Sequence, residues 1–317
     1  MQIVTVRQRN HHYHPLTGAY MNNSLIFHET PDLVHPYILI SYRGWLNAGE
    51  IGTGSIDFLR RKLNAGKFAS IDTRNFYIWQ VPGFDPAQIM RPHAVVEKGL
   101  VKSLDEPANE FFFWKGNAQN DLILFTGYEP NLAWPEFTSA ILSVAKRYKA
   151  RRIYTLGGVY DQVPHTRATS IYAVLSLPEM KHEFQSFPLL NYTGPCSFST
   201  LLVNHAGKEN IEAASIVARV PQYIETFNEK IACELLEKVF SHTSLHIDLS
   251  DLKKTGDAVN EIMDKDFLHN KTALAQLRKL EKRYDEALRQ GYGYKEVSVD
   301  ELMQEMLNAK KDGKKPH

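Results

Sequence analysis

The chain has 317 residues, 43% of them hydrophobic, and its 37 basic and 36 acidic side chains leave a formal net charge of +1. Length and apolar content allow a large buried core. The charge balance excludes the basic footprint expected of a protein that grips nucleic acid or an anionic membrane. Cys196 and Cys233 stand far apart without the paired spacing of a zinc site, which predicts reduced thiols in a cytoplasmic protein and no disulfide framework. No segment approaches the ~18 uninterrupted apolar residues of a membrane span.

Residues 1–35 are polar and irregular and are expected to form an N-terminal arm or hairpin. His11, His12 and His14 cluster there without carboxylate or cysteine partners, so no metal site is predicted. From Pro36 short apolar runs alternate with longer amphipathic ones, the pattern of crossover units around a mainly parallel sheet. Strands are expected at Tyr37 to Tyr42, Phe76 to Val81, Leu122 to Thr126, Ile153 to Leu156, Leu201 to Asn204 and Ala214 to Arg219. Pro135 can open a helix whose Phe137, Ile141, Val144 and Tyr148 share one face. A second helix is predicted over Tyr223 to Phe240.

Past residue 250 the composition turns to Lys, Glu, Asp, Leu and Ala, with no strand signal. Residues 251–309 are read as a helical extension, its main part a hairpin with a seam of Leu277, Leu280, Tyr284 and Leu288. Ser298 and Glu301 have capping-box spacing for a last helix, and 310–317 is a lysine-rich tail expected to be disordered. The expected fold is thus α/β, with a core domain over 36–250 and this C-terminal helical hairpin.

Three expected strands end in polar, glycine-bearing loops that would open on one edge of a parallel sheet, where such folds place ligands. The richest loop follows Leu156, where Gly157 and Gly158 precede Asp161, His165, Thr166 and Arg167. Asp161 can orient His165 as a base while Arg167 holds an anion; equally, the same groups can satisfy buried carbonyls and fix the loop's path. The glycine pair can offer bare N–H groups to phosphate, but no Walker or dinucleotide fingerprint follows and no cofactor is predicted. Glu129, a few residues ahead of Trp134, can act as a base or cap the helix at Pro135. Cys196 is expected as a small core residue, and Ser197 and Ser199 lack a nucleophile elbow.

Several segments occur together in a specific order: Gly44-Trp45-Leu46-Asn47-Ala48-Gly49; Thr126-Gly127-Tyr128-Glu129-Pro130 with Trp134 and Phe137; and Thr155-Leu156-Gly157-Gly158 with Asp161 and Pro164-His165-Thr166-Arg167. Tyr192-Thr193-Gly194-Pro195 and Ala218-Arg219-Val220-Pro221-Gln222-Tyr223 follow. In these the chain resembles the proteasome assembly chaperone 2 family, in its prokaryotic form, over Pro36 to Asp251. The resemblance implies a three-layer α/β/α domain similar to the nucleoside phosphorylase and hydrolase group. It also implies action without catalysis, since eukaryotic relatives guide assembly of the proteasome α-ring. Archaeal relatives dock on that ring through a C-terminal hydrophobic-Tyr-any-residue tail; here the last residues are Gly313-Lys314-Lys315-Pro316-His317, which do not carry that signal.

Two functional readings follow. The leading one is a non-enzymatic, self-associating assembly or interaction protein. The alternative is a ligand-binding protein or phosphorylase-like enzyme for a nucleoside-like or phosphorylated compound, with Trp45, Asn47, Glu129, Trp134, Gly157, Gly158, Asp161, His165, Thr166 and Arg167 lining its crevice. In that version His165, Glu129 and Asp161 are the candidate catalytic groups.

Overall fold

The computed structural model describes residues 24–79, 91–116 and 121–289. The N-terminal histidines, the helix expected at Ser298 and the lysine-rich tail lie outside them. In chain order the strands are β1 (Leu25–Phe27), β2 (Tyr37–Arg43), β3 (Gly66–Ile71), β4 (His93–Glu97) and β5 (Leu100–Asp105), then β6 (Glu110–Trp114), β7 (Leu122–Tyr128), β8 (Arg152–Asp161), β9 (Ile171–Leu175) and β10 (Ala213–Pro221). The helices are α1 (Ile51–Lys62), α2 (Trp134–Arg147), α3 (Phe198–Lys208), α4 (Glu229–Phe240), α5 (Ser250–His269) and α6 (Lys271–Arg289).

Eight strands form one sheet in the order β1-β3-β6-β7-β2-β8-β10-β9, and β4 and β5 form a separate hairpin. The four central strands β7, β2, β8 and β10 run parallel. The flanking strands β6, β3 and β1 on one side and β9 on the other are antiparallel, so the sheet as a whole is mixed.

Strands buried on both faces read as unbroken apolar runs, and β2 does so through Tyr37-Ile-Leu-Ile-Ser-Tyr42. Its Ile38 and Ile40, with Phe125 of β7, face a core formed with Phe137 and Ile141 of α2 and Phe198 and Leu202 of α3. Leu39, Leu124 and Leu156 face the opposite core, built with Ile56 and Leu59 of α1 and Leu235 and Val239 of α4. Helices therefore cover both faces, and the architecture is three-layered, α/β/α.

Three expected elements differ. Leu201 to Asn204 belongs to α3, because Phe198, Leu202 and Ala206 recur at helical spacing and Ser197 caps the helix by accepting the Thr200 N–H. Phe76 to Trp79 forms no strand; Phe76 and Tyr77 are buried beneath the chain following β7. The helix expected from Tyr223 begins only at Glu229, where the Asn228 side chain accepts the Ile231 N–H. That leaves Tyr223 in the loop after β10.

The C-terminal hairpin, α5 and α6, packs through α5 on α4. Contact is close enough that a Cβ on Gly256 would lie 2.4 Å from the Lys230 backbone nitrogen. Leu252 and Leu277 are buried in this arrangement.

Candidate functional site

Because β2, β7, β8 and β10 are parallel, the loops that follow them share the carboxyl edge of the sheet. The loop after β2 folds over the glycine pair of β8: Gly158 N–H donates to the Leu46 carbonyl at 3.0 Å, and Asn47 bridges to Gly158. A Cβ on Gly157 would stand 2.6 Å from that same carbonyl. Gly158 thus spends its amide on the neighbouring loop. The Asn47 side chain turns toward α1, accepting from the Thr53 N–H at 3.3 Å and its hydroxyl at 3.1 Å.

Glu129 bridges two loops. One carboxylate oxygen accepts the Trp45 N–H at 2.8 Å and the other the Phe198 N–H at 2.9 Å. The helix it caps is α3 rather than the one at Pro135, a correction to the sequence expectation, and a carboxylate suits a helix N-terminus. Trp134 is partly buried, its indole N–H donating to the Pro130 carbonyl at 2.6 Å and its ring edge-on to Phe198. Trp45 is exposed.

Asp161 and His165 do not pair. Asp161 forms an ion pair with Arg219 of β10 and accepts the Gln162 N–H. His165 is buried and spans two other partners: Nδ1 lies 2.7 Å from the Tyr223 hydroxyl and Nε2 3.0 Å from Asp264 of α5. The Tyr223 oxygen also accepts the His165 backbone N–H at 2.9 Å. A neutral ring with its proton on Nε2 fits these contacts, the Tyr223 hydroxyl donating to Nδ1 and Nε2–H donating to Asp264. Burial lowers the His165 pKa below the usual imidazole value, with Asp264 opposing that shift. Burial likewise pushes the Tyr223 hydroxyl up to about 12. Phe267 of α5 packs against both rings.

The next two residues also bind the hairpin. Thr166 donates to Glu281 at 2.6 Å, and Arg167 holds Asp285 through two bonds and Glu281 through a third at 3.2 Å. The bond to Arg167 lowers the Asp285 pKa. Tyr284 donates to the Ala168 carbonyl and meets the Ser170 hydroxyl. Between loop and hairpin lies a cavity of about 10 Å³ whose lining includes His165, Arg167, Asn228, Asn260 and Tyr284. That is about the room of one water molecule.

Along this edge His165, Thr166 and Arg167 bind the hairpin, while Asn47, Glu129, Trp134 and Asp161 bond to neighbouring loops, strands and helices of the core domain. Asp264, Glu281, Tyr284 and Asp285, the partners that complete the arrangement, were not among the site residues expected from the sequence. Their signal was an acidic and aromatic stripe on helices read only for their apolar seam. Cys196 is exposed, contrary to the core placement expected of it, whereas Cys233 is buried and its thiol is pushed up to about 12. Among the described residues no group of three or more His, Cys, Asp or Glu side chains is placed to hold a metal ion. None of their helices is long and apolar enough to cross a membrane.

The profile of the PAC2 family matches residues 42–266. The chain belongs to the PAC2 family. Solved structures with the same fold include Rv2714 of Mycobacterium tuberculosis, a protein of unknown function, at 22% identity and a TM-score of 0.75, covering 84% of this chain and 90% of that one. The proteasome-assembly chaperone homologue Rv2125 of the same organism matches at 22% identity and TM-score 0.65, covering 72% and 94%. PbaB of Pyrococcus furiosus, an archaeal proteasome activator, matches at 20% and 0.57, covering 76% and 97%. No curated protein matches the sequence. The PAC2 profile includes the whole loop from Gln162 to Ser170 and ends inside α5, so α6, which supplies Glu281, Tyr284 and Asp285, lies beyond the matched span.

Proposed function

We propose that the chain is a non-catalytic cytoplasmic protein of the assembly-chaperone kind, whose carboxyl-edge loops build an interaction scaffold. The observation that carries this reading is the bonding of the His165 to Arg167 segment to α5 and α6. A general base needs a lone pair within reach of a substrate proton. Here both ring nitrogens of His165 are engaged and the imidazole is buried. Arg167, the candidate anion holder, already has two carboxylates. PAC2 membership supports the same reading, as does the likeness to a proteasome-assembly chaperone homologue.

On this reading the partner is a protein subunit of a larger assembly, with the proteasome α subunit of the same organism as the first candidate. Sedimentation velocity of the purified chain mixed with that subunit tests it. A faster-moving complex supports the reading. Failure to bind, together with calorimetric binding of a nucleoside or phosphate that is lost in His165→Ala, would replace it with the small-molecule alternative.

A further inference from the structure

The two helices of the C-terminal hairpin are held unequally. α5 buries Leu252, Gly256 and Asn260 and lies backbone-close to α4, whereas α6 buries Leu277 alone. Beyond that leucine α6 is fastened by the polar ends of Glu281, Tyr284 and Asp285, which stand at i, i+3 and i+4 on one helix face. Its ion pair with the loop is open to water, the Arg167 side chain 35% and the Asp285 side chain 34% exposed. Pairs this open contribute little beside packed apolar surface.

A single residue joins the two helices. Asn270, at φ −112° and ψ 97°, separates His269 from Lys271, and its side chain accepts the Ala273 N–H at 3.1 Å. The cap therefore travels with α6, and Asn270 is a hinge at the end of α6 farthest from Asp285. Tyr284 is the one α6 side chain lining the cavity over the loop, whose walls include Arg167, Arg219 and Lys230 and no carboxylate. Arg219 is already paired with Asp161, but among the described residues Lys230 has no carboxylate partner. The Asn260 side-chain oxygen, on a residue 8% exposed, also lacks a partner. With α6 turned aside, the loop presents a cationic strip that also bears the Thr166 and Ser170 hydroxyls.

We infer, resting on the reading of this edge as an interaction scaffold, that α6 is a displaceable internal ligand and that the strip beneath it receives an acidic amphipathic helix of a partner protein in its place. Charge sets the class of partner, because a cationic strip meets carboxylates and rejects a basic helix. α6 supplies the template. A leucine matching Leu277 precedes two carboxylates four residues apart, with a tyrosine between them. The carboxylates take Arg167 and the Thr166 hydroxyl, as Glu281 and Asp285 do. The tyrosine takes the Ala168 carbonyl and the Ser170 hydroxyl, as Tyr284 does. Tethering gives α6 a high local concentration, so a partner binds only as tightly as the open fraction of the hairpin permits.

Fluorescence anisotropy of a labelled synthetic peptide of residues 270–289, titrated with the full chain, tests the inference. The wild type, with its own α6 in place, should bind the peptide weakly. A chain carrying Glu281→Ala, Tyr284→Ala and Asp285→Ala, which loosens α6 and leaves the strip intact, should bind it about tenfold more tightly or better. Adding Arg167→Ala to that chain should remove the gain, as should a peptide carrying Glu281→Lys and Asp285→Lys. In the wild type, amides of α6 should exchange about tenfold faster than those of α5, or more. No gain in the loosened chain, a gain that survives Arg167→Ala, or α6 as well protected as α5 would overturn the inference. A wild-type dimer that Arg167→Ala dissociates would overturn it too, by making α6 of a second copy the occupant. Equal binding of proteasome subunits by the wild type and the loosened chain would defeat this inference and leave the assembly-chaperone reading standing.

Discussion

Arg167 and Asp285, 118 residues apart, meet through two parallel hydrogen bonds, Nε to Oδ1 and Nη2 to Oδ2, each 2.9 Å. This fork geometry is the one in which guanidinium and carboxylate fit best. It fastens the loop after β8 to α6, so the segment richest in chemistry is also the seat of the C-terminal hairpin.

Reversing the pair tests its specificity. Arg167→Glu places a third carboxylate beside Asp285 and Glu281, and should make α6 markedly more sensitive to limited proteolysis. Asp285→Arg added to that variant should restore much of the resistance, a coupling that two independent surface changes would not show. Equal sensitivity of single and double variants would mean that the pair does not hold the hairpin.

A pH dependence follows from His165. Burial holds its folded pKa below the ordinary value, so the docked loop favours the neutral ring. Above about pH 6.5 the ring is neutral whether docked or not, and the contact stabilises fully. As pH falls below that value the undocked loop gains a proton that the docked state resists, and stability is lost until the lowered folded pKa is passed. Asp264 and Glu281 oppose this change and Lys230 adds to it. Hydrogen exchange of α5 should therefore quicken, after correction for intrinsic rates, between about pH 7 and about pH 5. His165→Asn should flatten that dependence.

Glu129 offers a contrast between base and brace. Glu129→Ala strips acceptors from the N–H of the exposed Trp45 and from that of the buried Phe198, and an unmet buried donor such as the second costs about 1–3 kcal/mol. Urea unfolding should report a loss of that size, with Glu129→Gln falling between the variant and the wild type. An unchanged midpoint for Glu129→Ala would remove the bracing role.

Gly256 sets how closely α5 approaches α4. Gly256→Ala would put a Cβ 2.4 Å from the Lys230 nitrogen, forcing a shift of the helices at a cost of about 1–3 kcal/mol. Exposed helix positions gain stability from the same substitution, so the sign of the change in unfolding free energy is decisive.

The fold was legible where one signal acted alone. The central strands are buried on both faces, and their apolar runs between loops stood out; β2, β7, β8 and β10 all lie where those runs predicted. Leu201 to Asn204 misled because a short apolar run has no period of its own, and only the Ser197 cap and the wider spacing from Phe198 to Ala206 reveal the helix. The β4–β5 arm was overlooked although Glu97-Lys98-Gly99-Leu100 between two Val-rich runs is a hairpin signal. At the carboxyl edge, the sequence set Asp161, His165, Thr166 and Arg167 close together, although Gly157, Gly158 and Asp161 belong to β8 rather than to the loop expected after Leu156. It did not reveal their partners, because Asp264, Glu281 and Asp285 lie about a hundred residues away on helices whose docking face is set by tertiary contact.

The most direct test of this account is hydrogen exchange, followed by mass spectrometry, on the full chain carrying His165→Ala and Arg167→Ala. The account predicts that protection is lost across Ser250 to Arg289 and kept in β2, β7, β8 and β10, because these side chains hold the hairpin rather than the sheet. Full protection of α5 and α6 in that variant would contradict it, and would return His165 and Arg167 to the search for a small-molecule site.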